Sequence, residues 1–561
     1  MTRDRGLAAA VAAALAVANG AVAAEPPPRG RGVGPCFHAV AFVNDPLSHG
    51  AVGDGLLSLN EAILLHNGQL TLAQLSAAEQ VQLSLIPGTG STTDVTWIDI
   101  DASNTPVITI EQDLAPVLDT SFGLLIKGFG GAPVFDFSGA NLGHGLRVPA
   151  NSCSLQDLVF SGGPYGIDVT QTDVAGQAGL TLTNVRFENC AQFGVRVGAS
   201  TANGIGRVIL DRCDFAGCAT AITCSETGPG RTTIFEAHEV AVTGATNGIE
   251  FVLGPGGTAR YTFDRVTIAA AASGLRLQRP ALADRSVFVE GSFVRVRAAQ
   301  CVAIDCVPNN LTWAVLRLWD LRAAPGGTAL ALGDVGDALF GDLDELTLHG
   351  DVRVRAGGAG LPLVVHNARC RGGAVLFATS AGQPFEVLDS RFDLCAVASQ
   401  GTGPVVCSGS CFAGGSLTGT AAAPISANGC HVQVAGAFVQ QTQSLPAEQL
   451  GSMSVAPDDV PVGSTITFQA DLPAGLVGFF ALGYTAPMPI VAAPPFHVYF
   501  DPAVFVFAPG AYRFQQGFGW LVPNSPQFRG LDFVVHLVVL PDPGVQAPWL
   551  QLPPPARFVL L

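Results

Sequence analysis

Phe160, Phe187, Phe215, Val242, Ile268 and Val296 recur along the chain at intervals of 27, 28, 27, 26 and 28 residues. A second column, Ile167, Val195, Ile222, Ile249, Leu275, Ile304 and Leu330, keeps step at 28, 27, 27, 26, 29 and 26. Self-similarity at a period of this size marks stacked repeats, in which each unit buries its apolar face against its neighbours. Within a unit the pattern alternates, as in Leu180-Thr-Leu-Thr-Asn-Val-Arg-Phe187 and the shorter Phe193-Gly-Val-Arg-Val197. Alternation of apolar and polar residues over five to eight positions argues for strands. Two or three short strands in about 27 residues leave no room for a helix. Each unit therefore reads as one coil of a right-handed parallel β-helix. Roughly a dozen such coils between 95 and 440, at about 4.8 Å each, predict a rod near 60 Å long. The later coils, through Thr347-Leu-His-Gly, Asn367-Ala-Arg-Cys370 and Ser390-Arg-Phe392, continue the first column at intervals near 22.

The flanks differ from the repeat. Arg3 and Arg5, the apolar run Leu7 to Ala18 and the small residues Ala21-Val-Ala-Ala24 read as a secretory signal peptide over 1–24, cleaved near Ala23 or Ala24. A Pro-rich N-terminus and a helical cap are expected over 25–94. Ser58-Leu-Asn-Glu61 and Ser76-Ala-Ala-Glu79 both have capping-box form. They predict short helices at about 58–66 and 76–83, placed to cover the open edge of the first coil. The solenoid is assigned to 95–445, a polar, Pro-bearing linker to 446–460, and a separate β-sandwich-like domain to 461–561, where strand-like runs alternate with Pro and Gly clusters. The fold class is thus all-β.

Composition narrows the partners. The 561 residues carry a net charge of −16 with a single lysine, Lys127. Nucleic-acid binding calls for a clustered basic face, and none is visible along the chain, so no nucleic acid is expected, nor anionic lipid. No segment after the leader has the length of a membrane span. The 13 cysteines are an odd number. Cys190, Cys218 and Cys395 each stand three residues after the first column, and Cys224 and Cys306 two after the second. That spacing stacks them as small buried side chains. Disulfides, Cys407 or Cys411 with Cys430, are the competing reading.

The stretch Asp54-Gly-Leu-Leu-Ser-Leu-Asn-Glu-Ala-Ile63, followed by His66-Asn67, resembles the "C-S-L-R-E-A-I" segment that opens many secreted bacterial β-helix proteins. Leu57 stands for its Cys and Asn60 for its Arg. Leu124-Leu-Ile-Lys-Gly128 and Phe135-Asp-Phe-Ser-Gly139 are similar to that family's first coils. The resemblance covers roughly 50–440 and implies an exported or surface protein, often without assigned activity; it transfers no catalytic residues. The C-terminal segment resembles, more weakly, small β domains of planctomycete-like secreted proteins.

Candidate chemistry is sparse. Asp334, Asp337, Asp342, Asp344, Glu345 and Asp351 cluster in one segment. Such carboxylates suit a hard cation such as calcium, or the acid pair of a glycosidase, or simply a solvated turn. A calcium loop over 50–61 lacks carboxylates at its first two ligand positions, Gly50 and Val52. Lys127, in an I-K-G context, reads as an exposed coil residue rather than a lyase base. Trp313 and Trp319 are the close tryptophan pair of the repeats. No G-x-S-x-G, H-E-x-x-H or phosphate-binding glycine loop is present. No resident cofactor is expected; calcium at the acidic cluster is the one candidate. The expectation is a secreted or cell-surface protein with a non-enzymatic structural, adhesive or glycan-contacting role. A polysaccharide lyase or glycoside hydrolase is the alternative.

Overall fold

The computed structural model describes residues 39–560 except 50–51, 86–94, 119–122, 140–142, 149–152, 172–176, 200–204, 227–231, 255, 279–285, 305–310, 334–337, 356–362, 380–383, 443–451, 457–458, 461, 473–475, 494–495, 508–510, 513–515, 523, 525–531 and 542–555. The signal peptide, the Pro-rich N-terminus, Asp334 and Asp337 lie outside these residues. The chain is almost entirely β. A 35-stranded sheet runs from Ala39–Val43 to Val439–Thr442, and all but one of its strand pairs are parallel. No helix among the described residues is long and apolar enough to cross a membrane.

The apolar columns are strand registers. Phe160 pairs with Phe187, Phe187 with Phe215, Phe215 with Val242, Val242 with Ile268 and Ile268 with Val296. The ladder extends both ways, from Ile108 and Phe135 through Leu321, Leu348, Cys370, Phe392 and Phe412 to Val432. Phe160, Phe187 and Phe215 are buried and stack ring on ring, with centroids 5.2 and 4.7 Å apart. Coil to coil, like packs on like at the parallel-strand spacing. The arrangement is compatible with a parallel β-helix.

Ile304 does not belong to the second column. Leu275 pairs with Val302, and Val302 with Leu330, while Ile304 pairs with Leu277 and Leu332. Residues two apart on a strand share a face, so Val302 and Ile304 both point inward, and the true steps are 27 and 28. The uneven spacing in that column arose from choosing the wrong one of two apolar neighbours.

Two further columns shape each coil. One residue per coil, from Asp157 through Asn184, Arg212, Glu239 and Arg265 to Asp389, Gly409 and Gly429, has a left-handed backbone with φ near +50° to +63°. It bends the first strand of the coil into the second. For an L-residue this region costs about 1–2 kcal/mol. The corner still keeps its ladder bond: Arg212, Glu239 and Glu345 donate their amides to carbonyls of the next coil at 2.9 Å. The other column, Gly145, Gly166, Gly194, Ala221, Gly248, Gly274, Cys301 and Ala329, precedes the second apolar column by one residue. A Cβ on Gly194 would lie 2.7 Å from the Phe215 ring and from the Ala221 carbonyl. Small residues are needed there because the third strand closes over the phenylalanine column.

The period falls at Leu348. Steps along the first column change from 27 (Leu321 to Leu348) to 22 and then 20. Part of the loss is at the second corner, which closes through Gly350 (φ +121°), Gly372-Gly373 and Gly414-Gly415.

Both capping boxes form: Ser58 with Glu61 starts the helix Leu59–His66, and Ser76 with Glu79 starts Ala77–Gln80. The second helix is shorter than the expected 76–83. Val81 is its C-cap, and Leu83–Leu85 is instead a strand antiparallel to Ala39–Val43. Ala39–Val43 itself pairs in parallel with Val95–Asp101, so the ladder begins well before residue 95. The exposed edge is covered by that antiparallel strand as well as by helix.

Beyond the sheet lie a three-stranded and a five-stranded sheet. Ile466, Phe468 and Ala470 of the first share one buried cluster with Phe480, Val535 and Leu537 of the second. The expected linker 446–460 contains the strand Ser452–Ala456, antiparallel to Thr465–Asp471. Its alternating Ser-Met-Ser-Val pattern lies beneath the polar, proline-bearing composition.

Candidate functional site

Of the acidic segment, Asp342, Asp344, Glu345 and Asp351 are among the described residues. Asp342 is half-buried, whereas Asp344 and Glu345 are buried. Asp344 ends the first strand of its coil and pairs with His366 of the next. The His366 Nδ1 lies 3.1 Å from Asp344 Oδ1, and its Nε2 lies 3.5 Å from Asp389 Oδ2. Burial alone would lower the histidine pKa. The hydrogen bonds and charges of Asp344 and Asp389 outweigh it and push the value up to about 9. His366 is therefore an imidazolium at neutral pH, held between two carboxylates. Glu345 occupies the left-handed corner beside it. Burial, and then the Asp344 charge, raise its pKa well above the usual carboxylate range. Its Oε2 has no hydrogen-bond partner, which suits a neutral acid. Among the described residues no three His, Cys, Asp or Glu side chains converge as a metal-binding group.

The other residues singled out from the sequence separate. Lys127 pairs with Asp99 across the first coils, and its charge favours that carboxylate. Asp99 also accepts from Trp97 Nε1 at 2.6 Å. Trp319 is fully buried and donates its indole N–H to the Gly291 carbonyl at 2.9 Å. Trp313 holds a different place, in register between Phe288 and Phe340. The eleven described cysteines are buried free thiols, and Cys36 and Cys306 lie outside the described residues. Cys407, Cys411 and Cys430 are not bridged: each occupies its own ladder place, and Cys407 and Cys430 face the core. Burial pushes the Cys153 thiol up to about 12, which makes it inert rather than nucleophilic.

Two outward features were not legible along the chain. The first is a ladder on the third strands. The rings of His144, Tyr165 and Phe193 stack at 6.3 and 5.7 Å, and Arg196 lies over Tyr165 at 5.6 Å. The same register continues through Thr220, Asn247, Ser273, Gln300 and Thr328. Asn247 Nδ2 donates to Thr220 Oγ1 at 3.4 Å, and Ser273 Oγ to Asn247 Oδ1 at 3.0 Å. His144 Nδ1 also lies 3.1 Å from the buried carboxylate of Asp168.

The second corrects the expectation that no basic face exists. On the second strands, the residues flanking the first apolar column point away from the core. One flank reads Arg295, Asp320, Thr347, Arg369, Arg391, and the other Arg297, Arg322, His349, Arg371, Asp393. Six arginines against two aspartates give this face a formal charge of +4, on a chain of net −16. Asp320 is 3.5 Å from Arg295 and 3.0 Å from Arg322, and Asp393 is 2.9 Å from Arg391. At its centre His349 has a lowered pKa, first through burial and then through the charges of Arg322, Arg371 and Arg369. Each arginine is 20 or more residues from its neighbour in the next coil, so linear reading finds no cluster. The usable signal was the position of each arginine one residue from a column member.

No family model, no curated protein and no solved structure matches this chain.

Proposed function

We propose that the protein is a secreted or cell-surface right-handed parallel β-helix, exported by a signal peptide cleaved near Ala23 or Ala24, that contacts glycans without cleaving them. The right hand follows from the near-universal hand of parallel strand crossovers. An N-terminal helical cap and a C-terminal β-sandwich-like domain complete the architecture. The observation that carries the functional reading is the row of half-exposed stacked rings on the third strands, His144, Tyr165 and Phe193, with Arg196 over Tyr165; farther along the same row Thr220 and Ser273 are buried and bonded through Asn247. A surface that repeats one chemistry at each coil suits a polymer that repeats one chemistry at each unit. Aromatic faces and neutral donors and acceptors are the groups that recognise sugar rings and hydroxyls.

The test is calorimetric titration of the mature chain with dextran, polygalacturonate, alginate and dextran sulfate, with and without calcium, followed by sizing of each polymer. Binding without chain shortening is expected. Shortening of any polymer would overturn the non-enzymatic reading, and no binding to any of them would overturn glycan contact.

The second reading, a lyase or glycosidase, is favoured by one observation. His144 is half-exposed, its Nδ1 is held by buried Asp168, and its ring lies against Tyr165 beneath Arg196. An imidazole oriented by a buried carboxylate is suited to proton abstraction. If cleavage is seen, His144→Ala should abolish it while leaving binding in place.

A further inference from the structure

We propose that the second-strand face of the coils bearing Val296 to Phe392 binds an acidic polysaccharide, whose carboxylate or sulfate groups are taken by Arg297, Arg322, Arg369, Arg371 and Arg391, with buried Arg295 adding its charge from beneath. This rests on the glycan-contact reading and adds to it a second surface with one ligand chemistry.

Charge complementarity carries the inference. The face spans five coils, about 19 Å at the usual strand spacing, and the two arginine-bearing rows run along it roughly 7 Å apart. An extended polyanion lying along the coil axis meets a guanidinium at every coil but that of Leu348, where Thr347 and His349 stand instead. Planar guanidinium forks match carboxylate and sulfate oxygens two at a time. Asp320 and Asp393 hold three of the guanidiniums in place. That lowers the ordering cost of binding. Arg297 and Arg371 are exposed, at the first and fourth places of their row. The same rows on earlier coils lack this character. There Arg186 is paired to Glu188 at 2.7 Å, and Asp214, Ala216, Ala241 and Thr243 follow.

The face favours a sugar polymer over nucleic acid. Single-stranded nucleic acids are held by aromatic side chains on which bases stack, beside a basic track. Neither row contains Phe, Tyr or Trp between Arg295 and Asp393.

The experiment compares Arg297→Gln/Arg371→Gln with a control, Arg207→Gln/Arg260→Gln, whose arginines pair with Glu236 and Glu290 on the first strands. Both variants are checked for unchanged thermal melting, then titrated with polygalacturonate, dextran sulfate, neutral dextran and single-stranded DNA at two salt concentrations. The face variant should lose roughly tenfold or more in affinity for one of the two polyanions, with a shallower salt dependence, while the control changes by less than about twofold. The polyanion affected distinguishes carboxylate from sulfate recognition. Equal effects in the two variants, or none, would overturn the proposal, as would tighter binding to DNA than to either polyanion. Binding to dextran alone would overturn it and leave the glycan reading standing. No binding to any polymer would remove both.

Discussion

The coils before Leu348 and those after it share an interior, while their outward chemistry changes along the stack. Inside, Phe187 stacks on Phe215 at 4.7 Å and 8°, and Phe392 on Phe412 at 4.9 Å and 3°. The same columns run through both, although the step shrinks from 25–28 residues to 20–22. Outside, Arg186 and Arg207 of the early coils are paired with acids, whereas the second strands from Val296 to Phe392, on both sides of Leu348, gather a net positive face. Packing is therefore independent of coil length, because strand spacing alone sets how columns meet. Surface chemistry is free to change along the same register, because outward residues are not constrained by the inner columns.

The strongest test of the shared interior is to delete a ring in each region. Phe187→Ala and Phe392→Ala should each cost about 3–5 kcal/mol in chemical denaturation, as expected for a buried phenylalanine. A much smaller cost at Phe392 would mean that the short coils are less tightly packed than the long ones.

The next effect belongs to the short coils and the coil before them. His366 has a folded pKa of about 9 against an ordinary 6.5. A raised pKa gives stability that is complete below the unfolded value and lost as pH climbs through the folded one. Denaturation midpoints should thus fall between about pH 6.5 and 9, by an amount on the order of 3 kcal/mol. Protonated Glu345, also raised, acts in the same direction at pH above its ordinary range. His366→Gln should flatten the slope across that window. An unchanged slope would show that the Asp344–His366–Asp389 chain does not hold its proton.

The smallest effect concerns the second corner. Gly373→Ala places a Cβ 2.6 Å from the Gly350 backbone at φ +82° and should cost about 2–4 kcal/mol. Gly326→Ala, at φ +75° with open space around it, should cost about 1 kcal/mol. Equal costs in thermal melts would mean that contraction of the corner, and not only its backbone conformation, is tolerated.

Legibility followed the physics of each feature. Column residues were readable because a buried strand face admits only apolar side chains at a regular step. Ile304 misled because Val302 serves the same face. The glycine and alanine column was present in plain view at Gly166, Gly194, Ala221, Gly248 and Gly274, yet small residues carry no hydropathy signal. The left-handed corner was hidden, since Asp157, Arg212, Glu239 and Phe293 share a backbone conformation but no side-chain chemistry. Asp344 read as a turn acid and is instead enclosed beside His366, because burial depends on what the neighbouring coil brings.

Residue order alone thus settles the stacked-strand architecture, since an inner column must be apolar in every coil whatever the coil's length. It also places the capping boxes, whose partners are three residues apart. Folding decides which charges meet. Arg297, Arg322 and Arg371 lie tens of residues apart, and only the register of successive coils brings them onto one face.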